Sequence, residues 1–440
     1  MDKKKIGVIS LGCDKNRVDS EKMLYTLKDF AEITNDIQKA EIIIINSCGF
    51  LCESRQEAIE TVLDCNSLRD GVLEKIVLTG CLPQKFIDEL FDELIEVDLF
   101  LGVNDYDLLK EGIVEIYKNK RVNLVGKGNF KQTGRVLTTP EHYAYLKVAD
   151  GCKNHCTYCL IPYIRGKLKS TPIEEIKQEV LELGEIKELI LVAQDLTAYG
   201  LDIYGKPSLV RLIKELTQME SVGSIRLLYC YPELIDDELI EEIKSNDKVI
   251  KYIDVPMQHA DDSVLKRMNR KGTKQSYLRL VEKLKQIPDM VIRSTFIAGF
   301  PGETEENFEN LCDFIQKAKL FNAGFFAYSR EEGTPAYKLD GQLPAKVKKD
   351  RVKKLYKIQK EIVKQKLSSY KGKTLQVVCD GIDYDKQSFY GRAYFFAPIV
   401  DGLVYFNSDQ EIIQGETYTV KIEKIKNYDL YGGVINEYTK

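Results

Sequence analysis

The sequence predicts an α/β protein of several domains, and two features of its 440 residues support this. Short β-branched runs alternate with amphipathic helical patterns through residues 1–343, which is typical of folds built on parallel sheets. Residues 371–440 instead contain four short strand-like runs separated by glycine, aspartate and asparagine turns, which indicate a small antiparallel β-barrel; the runs are residues 375–379, 391–396, 403–406 and 417–422. We therefore predict an amino-terminal open α/β sheet domain (1–134), a central domain of about six β/α units (138–343), a connector helix (344–370) and a terminal barrel (371–440).

Three strand-like runs of the amino-terminal domain are each followed by a cysteine. The runs are residues 6–11, 41–46 and 75–79, and the cysteines are Cys13, Cys48 and Cys81. Ligands bind at the carboxyl edge of open parallel sheets, so three thiols there would form one tri-cysteine site. Free cysteines are often only small buried hydrophobes, but such cysteines would have no reason to recur at one structural position. Cys52 and Cys65 fall in the helix after Cys48, and we expect both to pack in the core.

The central domain begins with a strand-like run, residues 143–149, and then a C-x-x-x-C-x-x-C loop at residues 151–159. The loop would bring Cys152, Cys156 and Cys159 onto one small object. A cubane iron–sulfur cluster takes four ligands, so three thiolates leave one iron open for something else. The alternative is a zinc knuckle with His155 as fourth ligand, although zinc motifs usually pair two separated C-x-x-C halves.

This loop, with an aromatic residue before its last cysteine, resembles the signature of the radical S-adenosylmethionine (SAM) enzymes. The resemblance implies that the open iron binds the amino and carboxylate groups of SAM, which is then cleaved to a 5′-deoxyadenosyl radical. It also implies that the six β/α units form a partial (β/α)6 barrel with its site at the carboxyl ends of the strands. Turns and helix caps are the structural alternative for the strand-end residues expected to surround SAM, which are Tyr158, Gln194, Gln258, Arg293 and Gly299.

Residues 11–21, with the sequence LGCDKNRVDSE, resemble a signature of the methylthiotransferases, a branch of the radical-SAM enzymes. The resemblance implies a second 4Fe–4S cluster on Cys13, Cys48 and Cys81, and a terminal barrel of the TRAM type. It makes these three cysteines and the three of the central loop the catalytic centre. One cluster would cleave SAM, and the other would hold the sulfur that is inserted.

Two substrates are known in this family, and the sequence resembles the branch that modifies an aspartate β-carbon in small-subunit ribosomal protein twelve. The alternative is an adenosine in transfer RNA. Three stretches resemble the ribosomal-protein branch, namely residues 11–21, residues 328–334 and residues 397–402. Within the third stretch, residues 399–400 depart from the acidic-then-apolar pair that is usual in that branch. Residues 371–440 carry eight basic and ten acidic side chains, and this net charge of −2 suits a basic protein better than RNA. A third hypothesis, a non-catalytic iron–sulfur scaffold or electron carrier, does not explain a three-ligand loop on a barrel strand.

Composition restricts the location and the partners. The net charge of −4 gives no global polyanion-binding signature, and no apolar run approaches the ~20 residues of a membrane span. The chain opens on a strand-like segment rather than a signal peptide, and eleven cysteines without a secretion signal predict a reducing cytoplasm. The resemblance adds an electron donor such as flavodoxin or ferredoxin as a partner. The lysine-rich face of helix 345–370 is either a solvated connector or a contact with the ribosome.

Overall fold

The structure is a computed structural model that describes residues 3–118, 121–129 and 134–435. Met1 and Thr133 of the first predicted domain and Lys440 of the last lie outside the described residues. In the described part of the chain, the amino-terminal region forms one six-stranded parallel sheet in the order β2-β1-β3-β4-β5-β6. Its strands are β1 (Lys5–Ser10), β2 (Glu32–Ile33), β3 (Ile42–Ser47), β4 (Lys75–Gly80), β5 (Leu99–Phe100) and β6 (Val122–Asn123).

Helices follow the strands of this sheet. They are α1 (Asp14–Leu27), α2 (Cys52–Asn66), α3 (Cys81–Glu93) and α4 (Leu109–Ile116). All six residues of β3 are buried, as expected of a strand covered by helices on both faces. The first helix begins at Asp14, and the polar residues of its first turn are buried against the central region.

Among the described residues, the central region is a half-barrel of six parallel strands, which agrees with the predicted number of β/α units. Within the described residues their order is β14-β13-β12-β11-β10-β7, and a two-stranded antiparallel ribbon, β8 with β9, lies beside them. The strands are β7 (Tyr143–Lys147), β8 (Ala149–Asp150), β9 (Lys169–Ser170), β10 (Ile186–Val192), β11 (Val222–Leu227), β12 (Val249–Asp254), β13 (Val291–Ala298) and β14 (Asn322–Ala327). The helices are α5 (Ile161–Ile164), α6 (Ile173–Leu183), α7 (Leu201–Tyr204), α8 (Leu209–Thr217), α9 (Asp237–Ser245), α10 (Asp262–Arg267), α11 (Lys274–Lys285) and α12 (Glu305–Ala318).

A long helix, α13 (Ala345–Ser368), leads from the half-barrel to a small closed barrel. Its apolar face is covered at both ends: Leu355 and Ile362 pack in the half-barrel core, while Val363 and Leu367 pack with the terminal barrel. The barrel strands are β15 (Thr374–Asp383), β16 (Ser388–Arg392), β17 (Val404–Asn407), β18 (Thr417–Lys426) and β19 (Asp429–Val434). In the part of the chain that the structure describes, no helix has the length and apolar character needed to cross a bilayer.

The predicted fold class is confirmed, with two differences in detail. The fifth barrel strand, β19, was not predicted, and it pairs parallel with β17, whereas the other four barrel pairings are antiparallel. The prediction that Cys52 packs in the core is wrong, because Cys52 is the first residue of α2 and is exposed. Cys65, near the other end of the same helix, is buried in the core as predicted.

Candidate active site

The three cysteines of the amino-terminal sheet lie at one edge of it. Cys13 precedes α1, Cys48 follows β3 directly, and Cys81 is the first residue of α3. Gly80 makes the turn from β4 into α3 at φ +98°, where a Cβ atom would lie 2.4 Å from the side-chain oxygen of Asn46. Only glycine fits that turn, and it delivers the Cys81 thiol to the sheet edge.

The second set of three cysteines belongs to the loop that follows β8. Gly151 begins the loop at φ +70°, and a Cβ atom there would lie 2.2 Å from the carbonyl oxygen of Lys167. Backbone N–H groups point at two of the sulfurs: Asn154 donates to Cys152 and Ile161 to Cys159, each over 3.4 Å. Such donors favour the thiolate form that iron–sulfur ligation requires.

Asn16 and Arg165 join the two sets of thiols. The side-chain oxygen of Asn16 accepts from the thiols of Cys13 (3.6 Å) and Cys81 (3.8 Å). The same oxygen accepts from Nη2 of Arg165 over 2.9 Å. Arg165 lies six residues after Cys159 and also pairs with Asp150, which ends β8. The contact therefore runs from the edge of the first sheet to the loop of the half-barrel.

All six cysteines line one cavity of about 330 Å³ between the first sheet and the half-barrel. This volume lies in the range of small-molecule sites, roughly 300–1,000 Å³. Other elements complete the walls; the further lining residues are Lys15, Asn16, Phe50, Asn154, Tyr158, Ile161, Arg165, Gln194, Tyr229, Cys230, Tyr231, Pro256, Gln258 and Arg270. Two tri-thiol sets thus face a common space large enough for a substrate side chain.

The donor chemistry fits iron–sulfur clusters better than a single metal ion. Within residues 3–118, 121–129 and 134–435, no three His, Cys, Asp or Glu side chains converge closely enough to bind one ion. In the alternative zinc knuckle His155 is the fourth ligand, but its side chain is exposed and does not line the cavity with Cys152, Cys156 and Cys159. Cluster ligands bind separate irons of a larger object, and thiols are the side chains that hold such clusters.

Burial favours the neutral form of four of the six thiols in the protein alone. Burial raises the pKa of Cys81 to about 11, although nearby Arg165 opposes the shift. Burial also raises the pKa of Cys152 to about 11 and raises the pKa values of Cys48 and Cys159. Thiolates are the metal-binding form, so binding of a cluster at either set would release protons.

The structure brings three of the five predicted SAM-contacting residues to the cavity, namely Tyr158, Gln194 and Gln258. It does not bring Arg293 or Gly299 there. The Arg293 guanidinium is held 2.9 Å from Asp254 and 3.5 Å from Asp401 of the terminal barrel. Gly299 lies under Lys348, and its N–H donates to Glu303 over 2.8 Å. Arg293 and Gly299 therefore contact other groups of the protein, and their role in binding SAM stays a prediction.

Sequence reasoning missed the third strand end of the half-barrel. Residues 229–231 follow β11 and line the cavity, and Cys230 among them is a seventh cysteine of its wall. The rule that ligands gather at the carboxyl ends of barrel strands applied to this strand as well and would have found them. Arg270 lies after α10, and no pattern in the sequence indicated that it would reach the cavity.

Three family models match separate parts of the chain. Residues 5–102 match a model described as uncharacterized protein family UPF0004, residues 146–315 match the radical SAM superfamily, and residues 372–435 match the TRAM domain. Among the described residues, the two six-stranded sheets and the closed barrel lie within or around these three stretches.

Full-length relatives decide the family. "Ribosomal protein uS12 methylthiotransferase RimO" from Clostridium tetani is 46% identical over 100% of both chains. The protein of the same name from Acetivibrio thermocellus is 45% identical, again over 100% of both chains. The chain belongs to the RimO family of ribosomal protein uS12 methylthiotransferases. Membership of the RimO family confirms the predicted radical-SAM methylthiotransferase of the ribosomal-protein branch.

Solved structures of other radical-SAM enzymes share the fold. The methyltransferase TsrM from Kitasatospora setae, with cobalamin and a [4Fe-4S] cluster bound, matches with a TM-score of 0.56 and 12% identity, covering 76% of this chain and 77% of that one. The cobalamin-dependent enzyme OxsB matches with a TM-score of 0.51 and 11% identity, covering 83% of this chain and 56% of that one. At such identities the likeness shows that the RimO-family chain has a radical-SAM fold and nothing finer.

Proposed function

We propose that this protein attaches a methylthio group to the β-carbon of an aspartate in ribosomal protein uS12. The observation that carries the proposal is the single cavity that both tri-cysteine sets line. A reaction that breaks a C–H bond and inserts sulfur at the same carbon needs both reagents beside one substrate atom. Full-length relatives with a uS12 methylthiotransferase name support the protein substrate over transfer RNA.

In this proposal the loop cysteines and the sheet-edge cysteines hold separate 4Fe–4S clusters. When bound, the first supplies the electron that cleaves SAM and the second carries the sulfur donor. The residues of the chain position the two sets of cysteines and the SAM site relative to one another. Asn16 and Arg165 fix the sheet edge against the loop, while Tyr158, Gln194 and Gln258 form the wall where SAM would bind. Gln194 is itself held by a hydrogen bond of 2.9 Å to Asp150, which also pairs with Arg165.

The partners in this proposal are an electron donor such as flavodoxin or ferredoxin, and the ribosome or free uS12 in the cytoplasm. The lysine-rich face of α13 is the surface that we propose for ribosome contact, because its apolar face is already covered. Mass spectrometry of ribosomal proteins and transfer RNA from cells lacking the gene tests the substrate. Loss of a methylthio group from uS12 supports the proposal, and its loss from transfer RNA overturns it.

Cysteine variants test which set of cysteines is needed for SAM cleavage and which is needed for sulfur insertion. Cys156→Ala is expected to abolish deoxyadenosine formation and to leave about half of the iron. Cys48→Ala is expected to spare SAM cleavage, to leave about half of the iron and to stop sulfur insertion. Cys52→Ala is the matched control, because this thiol is exposed and does not line the cavity. SAM cleavage by Cys156→Ala, or methylthio product from Cys48→Ala, would contradict the assignment.

A further inference from the structure

Three cationic side chains line the active-site cavity, and two of them have partners in the protein. Arg165 is hydrogen-bonded to Asp150, Asn16 and Asp19. Arg270 donates to the carbonyl oxygen of Pro256 and lies 3.9 Å from Glu233. The third cation is Lys15, the second residue after Cys13.

Lys15 is only 7% exposed and has no carboxylate partner among the described residues. Buried lysines are rare unless they are paired, because removing an ammonium group from water is costly. The contact that Lys15 does make is with an aromatic face: its Nζ lies 3.2 Å from the centroid of the Tyr229 ring. A cation–π contact of this kind holds the ammonium group in place and leaves it free to take an anionic ligand as well.

The Tyr229 ring is itself held in position. Its hydroxyl donates to Asp14 over 3.0 Å, and its backbone N–H donates to Asp254 over 3.2 Å. Tyr229 has a φ of +63°, a left-handed conformation that residues other than glycine seldom adopt. Such strain persists where the surrounding contacts impose it, and it is concentrated at functional sites. Lys15 therefore sits on a rigid support that joins α1 to the end of β11.

We propose that Lys15 binds the carboxylate of the substrate aspartate and so determines specificity for an acidic side chain. This inference rests on the proposed function, in which the attacked β-carbon is bonded directly to that carboxylate carbon. An ammonium group on the cavity wall, two residues from one thiol set, would hold the β-carbon between the two sets. In this proposal the substrate carboxylate is the anionic partner that the buried Lys15 ammonium group does not have within the described residues.

The test compares four variants of the cluster-loaded, full-length enzyme: Lys15→Gln, Lys15→Met, Lys15→Arg and Lys28→Gln. Lys28 is the matched control, because it also stacks on a tyrosine, with its Nζ 3.7 Å from the Tyr25 ring centroid, but it is exposed on the surface. The substrates are recombinant uS12 and uS12 with asparagine at the aspartate that the wild-type enzyme modifies. The readouts are iron content, SAM cleavage, affinity for uS12 and methylthio product.

Lys15→Gln and Lys15→Met are expected to keep the iron content and the SAM cleavage of the wild type. Their affinity for uS12 and their kcat/KM should fall about 10- to 100-fold, because a hydrogen bond to a charged group usually contributes that much to binding. The preference of the wild-type enzyme for aspartate over asparagine should disappear in both, and Lys15→Arg should retain much of it. Lys28→Gln should match the wild type. A Lys15→Gln or Lys15→Met enzyme that still prefers aspartate, or that loses iron or SAM cleavage in step with product, would overturn the inference. Wild-type enzyme that leaves uS12 unmodified would instead refute the proposed function.

Discussion

The guanidinium of Arg165 donates a hydrogen bond to the side-chain oxygen of Asn16 over 2.9 Å, across 149 residues of sequence. That oxygen also accepts from the thiols of Cys13 and Cys81, and Arg165 follows the loop that carries the other three cysteines. One contact thus sets the position of the sheet edge relative to the half-barrel. Its strength comes from burial: the Arg165 side chain is 2% exposed and also pairs with Asp19 and Asp150.

Arg165→Met is expected to lower the free energy of unfolding by about 3–5 kcal/mol, because it leaves Asp19 and Asp150 buried with less compensation. Lys147, which pairs with both carboxylates, limits the loss. Urea unfolding of the two proteins under anaerobic conditions measures the difference. Arg211→Met is the control, because Arg211 is an exposed arginine stacked on Tyr204, and it should change stability by no more than about 0.5 kcal/mol. Equal losses in both variants would show that Arg165 has no special structural role.

Elements that are determined by a local sequence pattern could be predicted from the sequence. The β-branched runs before Cys48 and Cys81 predicted β3 and β4, and the rule of strand ends predicted that their thiols would meet. Contacts made at long range could not be predicted. Nothing near Asn16 indicates that Arg165 will reach it, and the polar residues that start α1 resemble an exposed loop until the half-barrel covers them. Cys52 was misplaced for the same reason, since a helix pattern does not show which end of the helix faces solvent.

A second buried ionic network ties the half-barrel to the terminal barrel and gives a prediction for pH. Burial alone would raise the pKa of Glu188, but the guanidinium groups of Arg226 and Arg392 outweigh it and lower the pKa to about 2. Arg392 belongs to β16, and it also pairs with Asp380 over 2.7 Å. Because the pKa of Glu188 is depressed from 4.5, its stabilisation is fully present above pH 4.5 and is lost as the pH falls toward 2.

Glu188→Gln should therefore weaken the response to acid. The stabilisation from Glu188 amounts to about 3 kcal/mol, so the free energy of unfolding of the wild type should fall by about that much more than that of the variant between pH 5 and pH 2. At pH 7 the variant should be the less stable protein, because two buried arginines lose a charged partner. Urea titrations at each pH measure both effects. Glu185→Gln, at an exposed position of the preceding turn, should follow the wild type at every pH; a Glu188→Gln curve parallel to the wild type would refute the linkage.

The adjacent glutamates Glu331 and Glu332 differ in their burial, because Glu331 contacts the amino-terminal region. Glu331 is 2% exposed, and its carboxylate accepts from the backbone N–H of Cys52 over 3.0 Å and pairs with Arg55 over 2.7 Å. Both partners lie in the first turn of α2, where helix N–H groups have no partner within the helix and where negative charge is favoured. Glu331 therefore fastens α2, the helix after Cys48, to the half-barrel, whereas Glu332 is exposed.

Glu331→Ala is expected to lower the free energy of unfolding by about 3 kcal/mol, because Arg55 and the Cys52 N–H both lose their acceptor. Glu331→Gln should cost less, since its amide oxygen can still accept from the N–H group while the ion pair is lost. Glu332→Ala, at the exposed neighbouring position, should lie within about 0.5 kcal/mol of the wild type. Thermal and urea unfolding of the three variants establish the order. If Glu331→Gln were as damaging as Glu331→Ala, the ion pair with Arg55 rather than the helix cap would hold α2 to the half-barrel, and Arg55→Met should then reproduce the whole loss.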